Sequence, residues 1–212
     1  NRYSTFHKGG IVMIAVIDYG AGNIFSVENA LRYLGQEHIL TDDPDTIRQA
    51  DAIILPGVGA FPSAMQMLHA HGLTELLQQQ AKEKPFLGIC LGMQMLFEKS
   101  YEFEPCEGLG LLPGTVERIP DHGLVIPHMG WNKLDQKLDC PMLKDLPEDA
   151  YVYFVHSYQA MCPDSVIAAS CEYGSTIPAL VYDGAYVFGA QFHPEKSGEI
   201  GLQMLRNFAA LA

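Results

Sequence analysis

A cysteine between two glycines is the sequence feature with the clearest chemical meaning. The pattern Gly-x-Cys-x-Gly, centred on Cys90, follows an apolar strand pattern over residues 85–89 and precedes a helical pattern from Leu91 to about Glu98. This is the arrangement of a nucleophile elbow, with Cys in place of Ser, and the glycines leave room for neighbouring backbone at a strained turn. A thiol at a helix N-terminus is favoured as thiolate, its reactive form. A buried packing cysteine is the alternative, and the strand–turn–helix context favours the nucleophile.

A thiolate nucleophile needs a group that moves protons, and His193 is the best placed of the eight histidines. It follows a strand pattern over residues 186–190, and Glu195 comes two residues later, where it can orient the imidazole. If this strand runs parallel to the one before Cys90, both side chains lie at the same edge of the sheet. A surface histidine beside a solvated Glu is the other interpretation. The alternative bases His122, His128 and His156 border strand patterns but have no acid two residues later.

The elements that must position these residues alternate in type along the first half of the chain. Strands are predicted at residues 11–17, 38–41, 52–55 and 85–89, and helices at 24–34, 44–50, 62–71 and 73–82. Strands separated by helices imply right-handed crossovers and a parallel sheet that is covered on both faces.

The second half has short strand patterns separated by Gly and Pro, which suggest antiparallel additions to the same sheet. They cover residues 115–119, 151–155, 166–172, 179–182 and 186–192. Ser197 is predicted to cap a last amphipathic helix, in which Ile200, Met204, Leu205 and Phe208 share one face. The predicted fold is one α/β domain: a three-layer, open, mostly parallel sheet with helices on both faces and antiparallel additions in the C-terminal half.

Composition excludes several classes of protein. A chain of 212 residues with 48% apolar content can bury a sizeable core. Its 13 basic and 25 acidic residues give a net charge of −12, which disfavours nucleic acid or an anionic membrane as a partner. No apolar run approaches the ~18 residues of a membrane span. Residues 1–12 precede Met13, which heads the first strand pattern, and are predicted to be a tag remnant or extension; the domain is assigned to residues 13–212.

The sequence predicts neither a metal nor a cofactor. Its five cysteines lack Cys-x-x-Cys and zinc spacing, which favours a reduced, cytoplasmic chain. His69 and His71 lie two apart on a predicted helix and so face away from each other. The Gly20-x-Gly22 turn has Phe25 where a dinucleotide motif needs its third glycine.

Three segments in order carry a resemblance to a known family. They are Pro56-Gly57-Val58-Gly59, Gly88-Ile89-Cys90-Leu91-Gly92-Met93-Gln94 and Phe192-His193-Pro194-Glu195. Together they resemble the class I, triad-type glutamine amidotransferases, from about residue 13 to the end. Residues 18–23, 56–61, 127–132 and 154–158 add similarity to a member that supplies a cyclase.

The resemblance implies glutamine as the substrate, ammonia as a product and a γ-glutamyl thioester on the cysteine. The implied roles are catalysis for Cys90, His193 and Glu195; the oxyanion hole for Gly57, Val58 and Leu91; and substrate binding for Gln94, Glu102, Ser157 and Tyr158. Of these, Cys90 would be the nucleophile, His193 the general acid and base, and Glu195 its orienter.

The implied partner is a (β/α)₈-barrel cyclase subunit in a heterodimer. Ammonia released into neutral water would mostly protonate and lose its nucleophilicity, so a sealed passage to the acceptor is useful. The positions that match the family's interface are Asn23, Met129, Trp131, Asn132, Tyr153 and Lys196. By residue type alone, Trp131 and Tyr153 would instead be core aromatics.

Other functions stay open on the sequence. A glutaminase subunit of another synthase, such as that for pyridoxal phosphate, or a triad γ-glutamyl peptidase would share the triad; only the likeness of residues 128–132 disfavours them. A catalytically inactive binding subunit is the alternative of a different class, and the intact Cys90, His193 and Glu195 disfavour it. A generic α/β hydrolase fits less well, because its triad runs nucleophile, acid, then His.

Overall fold

The computed structural model describes residues 10–212, so most of the predicted extension at residues 1–12 lies outside the described residues. Within this range no helix is long and apolar enough to cross a bilayer. Short 3-10 turns occupy Pro141–Leu143, Asp164–Val166 and Pro194–Lys196. In chain order the other elements are β1 (Ile14–Ile17), α1 (Ile24–Tyr33), β2 (His38–Thr41), α2 (Pro44–Gln49), β3 (Ala52–Leu55), α3 (Phe61–Ala70), α4 (Thr74–Gln80), β4 (Phe86–Ile89), α5 (Leu91–Gln94), β5 (Phe97–Ser100), β6 (Cys106–Glu107), β7 (Leu112–Arg118), β8 (His128–Lys133), β9 (Asp135–Gln136), β10 (Tyr151–His156), β11 (Tyr158–Met161), β12 (Ile167–Glu172), β13 (Thr176–Tyr182), β14 (Val187–Ala190) and α6 (Gly198–Ala209).

The main sheet has eight strands in the order β2-β1-β3-β4-β14-β13-β12-β9. Its first five strands are parallel, and β14 pairs with β4 in the register Gly189 opposite Gly88. β13, β12 and β9 add in antiparallel fashion. Because β4 and β14 are parallel neighbours, the residues that follow them meet at one edge of the sheet, which is where Cys90 and His193 lie.

Two apolar layers cover the main sheet, as expected for a three-layer α/β fold. Alternate residues of each strand point to opposite faces: Ile54 belongs to the cluster that contains α1 and α6, and Ile53 and Leu55 belong to the cluster that contains α3 and α4. The residues of β1, β3 and β4 are buried, which explains their continuous apolar runs in the sequence. The fold class predicted from the sequence is confirmed.

Two of the predicted C-terminal strands do not join the main sheet. β7 lies in a separate four-stranded sheet, ordered β11-β7-β5-β6, and β10 pairs only with β8 in a two-stranded antiparallel unit, here called the β8–β10 ribbon. The prediction that all these strands extend one sheet was wrong for these two. The prediction of antiparallel pairing was also wrong for one side of β14, which is parallel to β4. β8 was not predicted as a strand. Its sequence His-Met-Gly-Trp-Asn-Lys contains a glycine and only two apolar residues, so its apolar–polar alternation is too short to indicate a strand.

The helix that follows Cys90 is shorter than predicted. α5 ends at Gln94, and Phe97–Ser100 is strand β5 rather than a continuation of the helix to Glu98. Amides of residues 108–112 bond to the carbonyls of Met95, Leu96, Phe97 and Glu98, so pairing with a distant segment overrides the helical propensity. Ser197, predicted to cap α6, makes no side-chain capping bond; its hydroxyl is used elsewhere in the site.

Candidate active site

Cys90 occupies a strained turn between β4 and α5. Its backbone angles are φ 56° and ψ −112°, a region that non-glycine residues rarely adopt. Its amide donates to the carbonyl of Ala190 on β14 at 2.7 Å, which holds the turn in place. The strand, tight turn and helix predicted around Cys90 are therefore present, with one turn of helix rather than two after the cysteine.

The two glycines of the motif have the steric role expected for them. A Cβ on Gly88 would be 2.5 Å from the carbonyl oxygen of Gly92, and a Cβ on Gly92 would overlap the carbonyl oxygen of Leu55 at the end of β3. The absence of a side chain at Gly88 thus lets the turn around Cys90 close on itself, and its absence at Gly92 lets the turn pack against β3.

His193 and Glu195 form a buried pair beside Cys90. His193 Nδ1 lies 2.7 Å from Glu195 Oε1, and the two side chains are 4% and 1% exposed. Burial by itself lowers the pKa of His193, but hydrogen bonds to Cys90 and Glu195 and the attraction of their negative charge outweigh it and raise that pKa to about 10. With Nδ1 bonded to Glu195, the other ring nitrogen is the one that can exchange a proton with the thiol.

Ser197 connects this pair to the β8–β10 ribbon. Its hydroxyl donates to the carbonyl of His193 at 2.6 Å and accepts from the amide of Tyr153 at 3.0 Å. The amide of His193 donates in turn to the carbonyl of Tyr153 at 3.0 Å. The backbone of His193 is therefore fixed from both sides, a positioning role that the sequence analysis did not assign to Ser197.

A cavity of about 560 Å³ opens over Cys90. It brings together most of the residues predicted for catalysis and substrate binding, and it adds residues that were not predicted, among them Gly59, Phe103 and Arg118. The full set is Val58, Gly59, Cys90, Leu91, Gln94, Glu102, Phe103, Arg118, Val155, His156, Ser157, Tyr158 and His193. Glu195 lies behind His193 rather than in this lining, as a residue that orients the imidazole would.

The polar side chains of the cavity suit a zwitterionic ligand. Gln94 is 4% exposed and donates to the carbonyl of Tyr158 at 3.3 Å and to Gln191 Oε1 at 3.2 Å. Glu102 is 8% exposed; its Oε2 accepts from the amide of Phe61, at the start of α3, at 3.0 Å. Burial raises the pKa of Glu102, and the bond from Phe61 lowers it in part. An ammonium group would favour the charged carboxylate at this position.

The segment proposed for the oxyanion hole is split between the cavity and its wall. Val58 and Leu91 line the cavity, whereas Gly57 packs behind them: a Cβ there would be 2.9 Å from the amide nitrogen of Gly92 and 3.2 Å from Cβ of Leu91. Val58 is 45% exposed, and Gly59 has φ +98° with open space where its Cβ would be.

Of the residues predicted for a partner interface, Met129, Trp131 and Tyr153 lie on one face of the β8–β10 ribbon. Asn132 is half-buried on the opposite face, where its side chain lies 3.3 Å from His128 Nε2. Met129 and Trp131 are 62% and 58% exposed, and the Trp131 ring meets the Tyr153 ring edge-on with centroids 6.0 Å apart. Trp131 is thus a surface residue, and the assignment of it to the core, which residue type alone suggested, was wrong. Asn23 and Lys196 are exposed.

Comparison with known proteins decides the family. The sequence matches the family described as Glutamine amidotransferase class-I over residues 15–211. The chain belongs to the class-I glutamine amidotransferase family. Among curated proteins it is 53% identical over 197 residues to the imidazole glycerol phosphate synthase subunit HisH of Bacillus cereus, covering 92% of this chain and 93% of that protein. It is 54% identical to the protein of the same name from Bacillus cytotoxicus, with the same coverage.

Solved structures agree on the fold of this amidotransferase. A putative GMP synthase protein from Thermoplasma acidophilum matches with a TM-score of 0.72 and 21% identity, covering 95% of this chain and 94% of that one. PurLQS from Thermotoga maritima matches with a TM-score of 0.72 and 21% identity, covering 94% and 98%.

Two histidines that were considered as bases have a different place in this amidotransferase. His156 Nδ1 donates to the carbonyl of Tyr158 at 2.7 Å. Because a neutral imidazole has only one N–H, His156 Nε2 is then an acceptor, and it accepts from His128 Nδ1 at 2.9 Å. By the same argument His128 Nε2 is an acceptor, and it faces Asn132 Nδ2 at 3.3 Å. Asn132 also donates to the carbonyl of Glu172 at 2.9 Å. Burial lowers the pKa of both histidines to about 4. They are neutral hydrogen-bonding links between β8 and the cavity.

The remaining sites considered on the sequence carry no reactive cluster. Residues 10–212 contain no group of three or more metal-ligating side chains. Burial raises the pKa of Cys140 and Cys162 to about 11 and that of Cys171 to about 12. Burial and the nearby Glu104 and Glu107 raise that of Cys106.

Proposed function

We propose that this chain is the glutaminase subunit of imidazole glycerol phosphate synthase. It would hydrolyse glutamine to glutamate and ammonia, and a cyclase subunit would use the ammonia to make imidazole glycerol phosphate and AICAR in histidine biosynthesis. The observation that carries the proposal is the strained turn at Cys90 beside the buried His193–Glu195 pair, at the floor of one cavity. Membership of the amidotransferase family and the similarity to the HisH subunits support it.

In the first step the Cys90 thiolate attacks the side-chain amide carbon of glutamine. A C–S bond forms, the carbonyl becomes an oxyanion, and the C–N bond then breaks. His193 carries the proton that the leaving nitrogen needs, so ammonia departs as a neutral molecule and a γ-glutamyl thioester remains. The raised pKa of His193 supports this role, because the imidazole starts the step protonated.

In the second step a water molecule replaces the ammonia and attacks the thioester. His193 is now neutral and takes a proton from the water, and Glu195 stabilises the imidazolium that forms, at 2.7 Å from Nδ1. The C–S bond breaks, glutamate is released and Cys90 returns to its starting state. No metal or cofactor is required in this sequence of steps.

The substrate glutamine would be recognised at both of its charged ends. Glu102 is the acid for the α-ammonium group, and backbone amides at Ser157 and Tyr158 suit the α-carboxylate. Gln94 supports this segment through its bond to the Tyr158 carbonyl. Arg118 lines the same cavity and adds a positive charge for the carboxylate.

The oxyanion would be stabilised by the amides of Leu91 and Val58, and the peptide that joins Gly57 to Val58 is the unit that would rotate. In the family, the Pro-Gly-Val-Gly segment can turn one amide away until the partner is engaged. The exposure of Val58 and the open space at Gly59 suit such a rotation. One missing oxyanion donor costs about 3–4 kcal/mol, so this segment would be an effective switch.

The partner would be a (β/α)₈-barrel cyclase that docks on the exposed face of the β8–β10 ribbon. Aromatic side chains such as Trp131 and Tyr153 are the types that most often anchor interfaces, and Asn23, Met129 and Lys196 complete the proposed surface. Asn132 would support it from the opposite face of the ribbon, through its bond to the Glu172 carbonyl. The compartment would be the cytoplasm, where a nucleophilic thiol stays reduced. Neither nucleic acid nor membrane is proposed as a partner, in keeping with the net charge of −12.

Reconstitution with candidate partners tests the proposal. The chain is mixed with glutamine and either the cyclase subunit plus its ribonucleotide ligand or the synthase subunit for pyridoxal phosphate, and glutamate is measured. We expect glutamate release, coupled to formation of the cyclised product, only in the mixture that contains the cyclase and its ligand. Release only with the other synthase would identify the alternative enzyme, and absence of release with either would favour an inactive binding subunit.

A further inference from the structure

The proposed oxyanion segment is anchored at its beginning by Tyr19. This tyrosine follows β1 and is 0% exposed. Its hydroxyl donates to the carbonyl of Pro56 at 2.8 Å and lies 3.5 Å from the sulfur of Met95. Burial raises the pKa of Tyr19, so the hydroxyl stays protonated and remains a donor. The peptide plane between Pro56 and Gly57 is thereby fixed.

Gly57 itself is enclosed by three segments of the chain. A Cβ there would be 2.9 Å from the amide nitrogen of Gly92 and 3.0 Å from the Tyr19 hydroxyl. On another side, Gly22 approaches so closely, at φ +117°, that a Cβ on it would be 3.3 Å from the amide nitrogen of Gly57. The Cα of Gly57 therefore has little room to move.

The surroundings change within two residues. Val58 is 45% exposed, and a Cβ on Gly59 would meet no atom within 4 Å. A peptide plane rotates about the line between its two flanking Cα atoms, so a fixed Gly57 and a free Gly59 confine rotation to the peptides on either side of Val58. Among the described residues, Tyr19 supplies the side-chain hydrogen bond that sets this boundary.

We infer that Tyr19 is a positioning residue for the oxyanion hole: its hydroxyl holds the Pro56 carbonyl so that the amide of Val58 turns into the cavity at the right place. This inference rests on the proposed glutaminase function. It assigns a catalytic consequence to a side chain that touches neither substrate nor Cys90. Without the hydrogen bond from Tyr19, the whole Pro56–Gly59 segment shifts, and the Val58 amide is misplaced when it turns into the cavity.

The variant Tyr19→Phe tests the inference, because it keeps the ring in the core and removes only the hydroxyl. Tyr182→Phe is the matched control. Tyr182 lies at the end of β13, and the substitution removes a buried hydroxyl that is 3.5 Å from the carbonyl oxygen of Ala185. We expect Tyr19→Phe to lower kcat for glutamine with the loaded cyclase by about tenfold, less than the loss of a donor itself. KM should stay within about twofold, and iodoacetamide should alkylate Cys90 at the wild-type rate, because alkylation needs no oxyanion hole. Tyr182→Phe should keep the wild-type kcat.

Amide relaxation dispersion of the isolated chain gives a readout that does not depend on activity. Exchange should be confined to Val58 and Gly59 in the wild type and should extend to Gly57 in Tyr19→Phe. Unchanged kcat together with an unchanged exchange profile would overturn the inference. A parallel fall in kcat and in the alkylation rate would also overturn it, since that indicates general disruption. A wild-type complex that hydrolyses no glutamine would instead refute the proposed function, and the exchange profile would still decide the role of Tyr19.

Discussion

His193 and the Val58–Gly59 turn line the same cavity, but their surroundings differ. His193 is 3% exposed; its amide and carbonyl are both hydrogen-bonded, and its side chain is bonded to Glu195. Val58 is 45% exposed, and open space lies beside Gly59. The proposed acid–base half of the site is thus built into the core, whereas the proposed oxyanion half has room to adjust. A site divided in this way would keep the proposed nucleophile ready and still withhold turnover.

Replacing the nucleophile should have the largest effect, because both halves of the site act through it. We expect Cys90→Ala and Cys90→Ser to lose glutamine hydrolysis by a factor on the order of 10⁴ or more. The sulfur lines the cavity, so its removal leaves little new internal space, and thermal unfolding and partner affinity should stay near those of the wild type. Glutamate release by the Ala variant at the wild-type rate would refute the triad.

Engaging the partner should change the adjustable half alone. The isolated chain should hydrolyse glutamine very slowly, and the cyclase with its ligand should raise kcat, with less effect on KM, by about 10²–10³, the value of one oxyanion donor. Steady-state kinetics of glutamate release, with the unloaded cyclase as the control, measure this. Substantial hydrolysis by the isolated chain that the loaded partner leaves unchanged would mean that the hole is already complete.

Trp131 tests whether the exposed ribbon face is where the partner acts. Trp131→Ala should weaken association with the cyclase by about 2 kcal/mol, roughly 30-fold in Kd. Tyr33→Ala is a control, since Tyr33 is 74% exposed and lies at the opposite end of α1 from Asn23. This variant should leave the Kd unchanged in the same calorimetric titration. Because Trp131 is 58% exposed, its variant should unfold at nearly the wild-type temperature. Unchanged affinity would remove this residue from the interface.

Alkylation sharpens the claim that the acid–base half is ready in the isolated chain. Iodoacetamide should label Cys90 first, by about tenfold over the other four cysteines, because their pKa values are raised. Peptide mapping by mass spectrometry at short times gives the order of labelling. If Cys106 or Cys162, which are partly exposed, reacts before Cys90, the thiol is not activated before the partner binds.

The parts of this molecule that could be predicted from sequence are those with local causes. β3 has the predicted bounds, because a continuous apolar run followed by turn residues marks a buried strand. β2 also has the predicted bounds, although it is a half-exposed edge strand. The end of α5 could not be predicted, since it depends on amides of residues 108–112 that bond to the carbonyls of residues 95–98. The His128–His156 link was missed for the same reason: its two rings lie 28 positions apart and meet only across the β8–β10 ribbon.

The neighbouring positions of β4 and β14 have a consequence for how activity arises during synthesis. Gln191 and Cys90 lie 101 positions apart yet approach within 3.9 Å, so β4, which precedes the proposed nucleophile, is made long before β14, which precedes the proposed base. β14 inserts between β4 and the antiparallel strands as the last strand of the main sheet to leave the ribosome. A nascent chain that has folded only through β13 carries the cysteine without the His193–Glu195 pair. With the proposed triad, ammonia production would begin only once the sheet is complete.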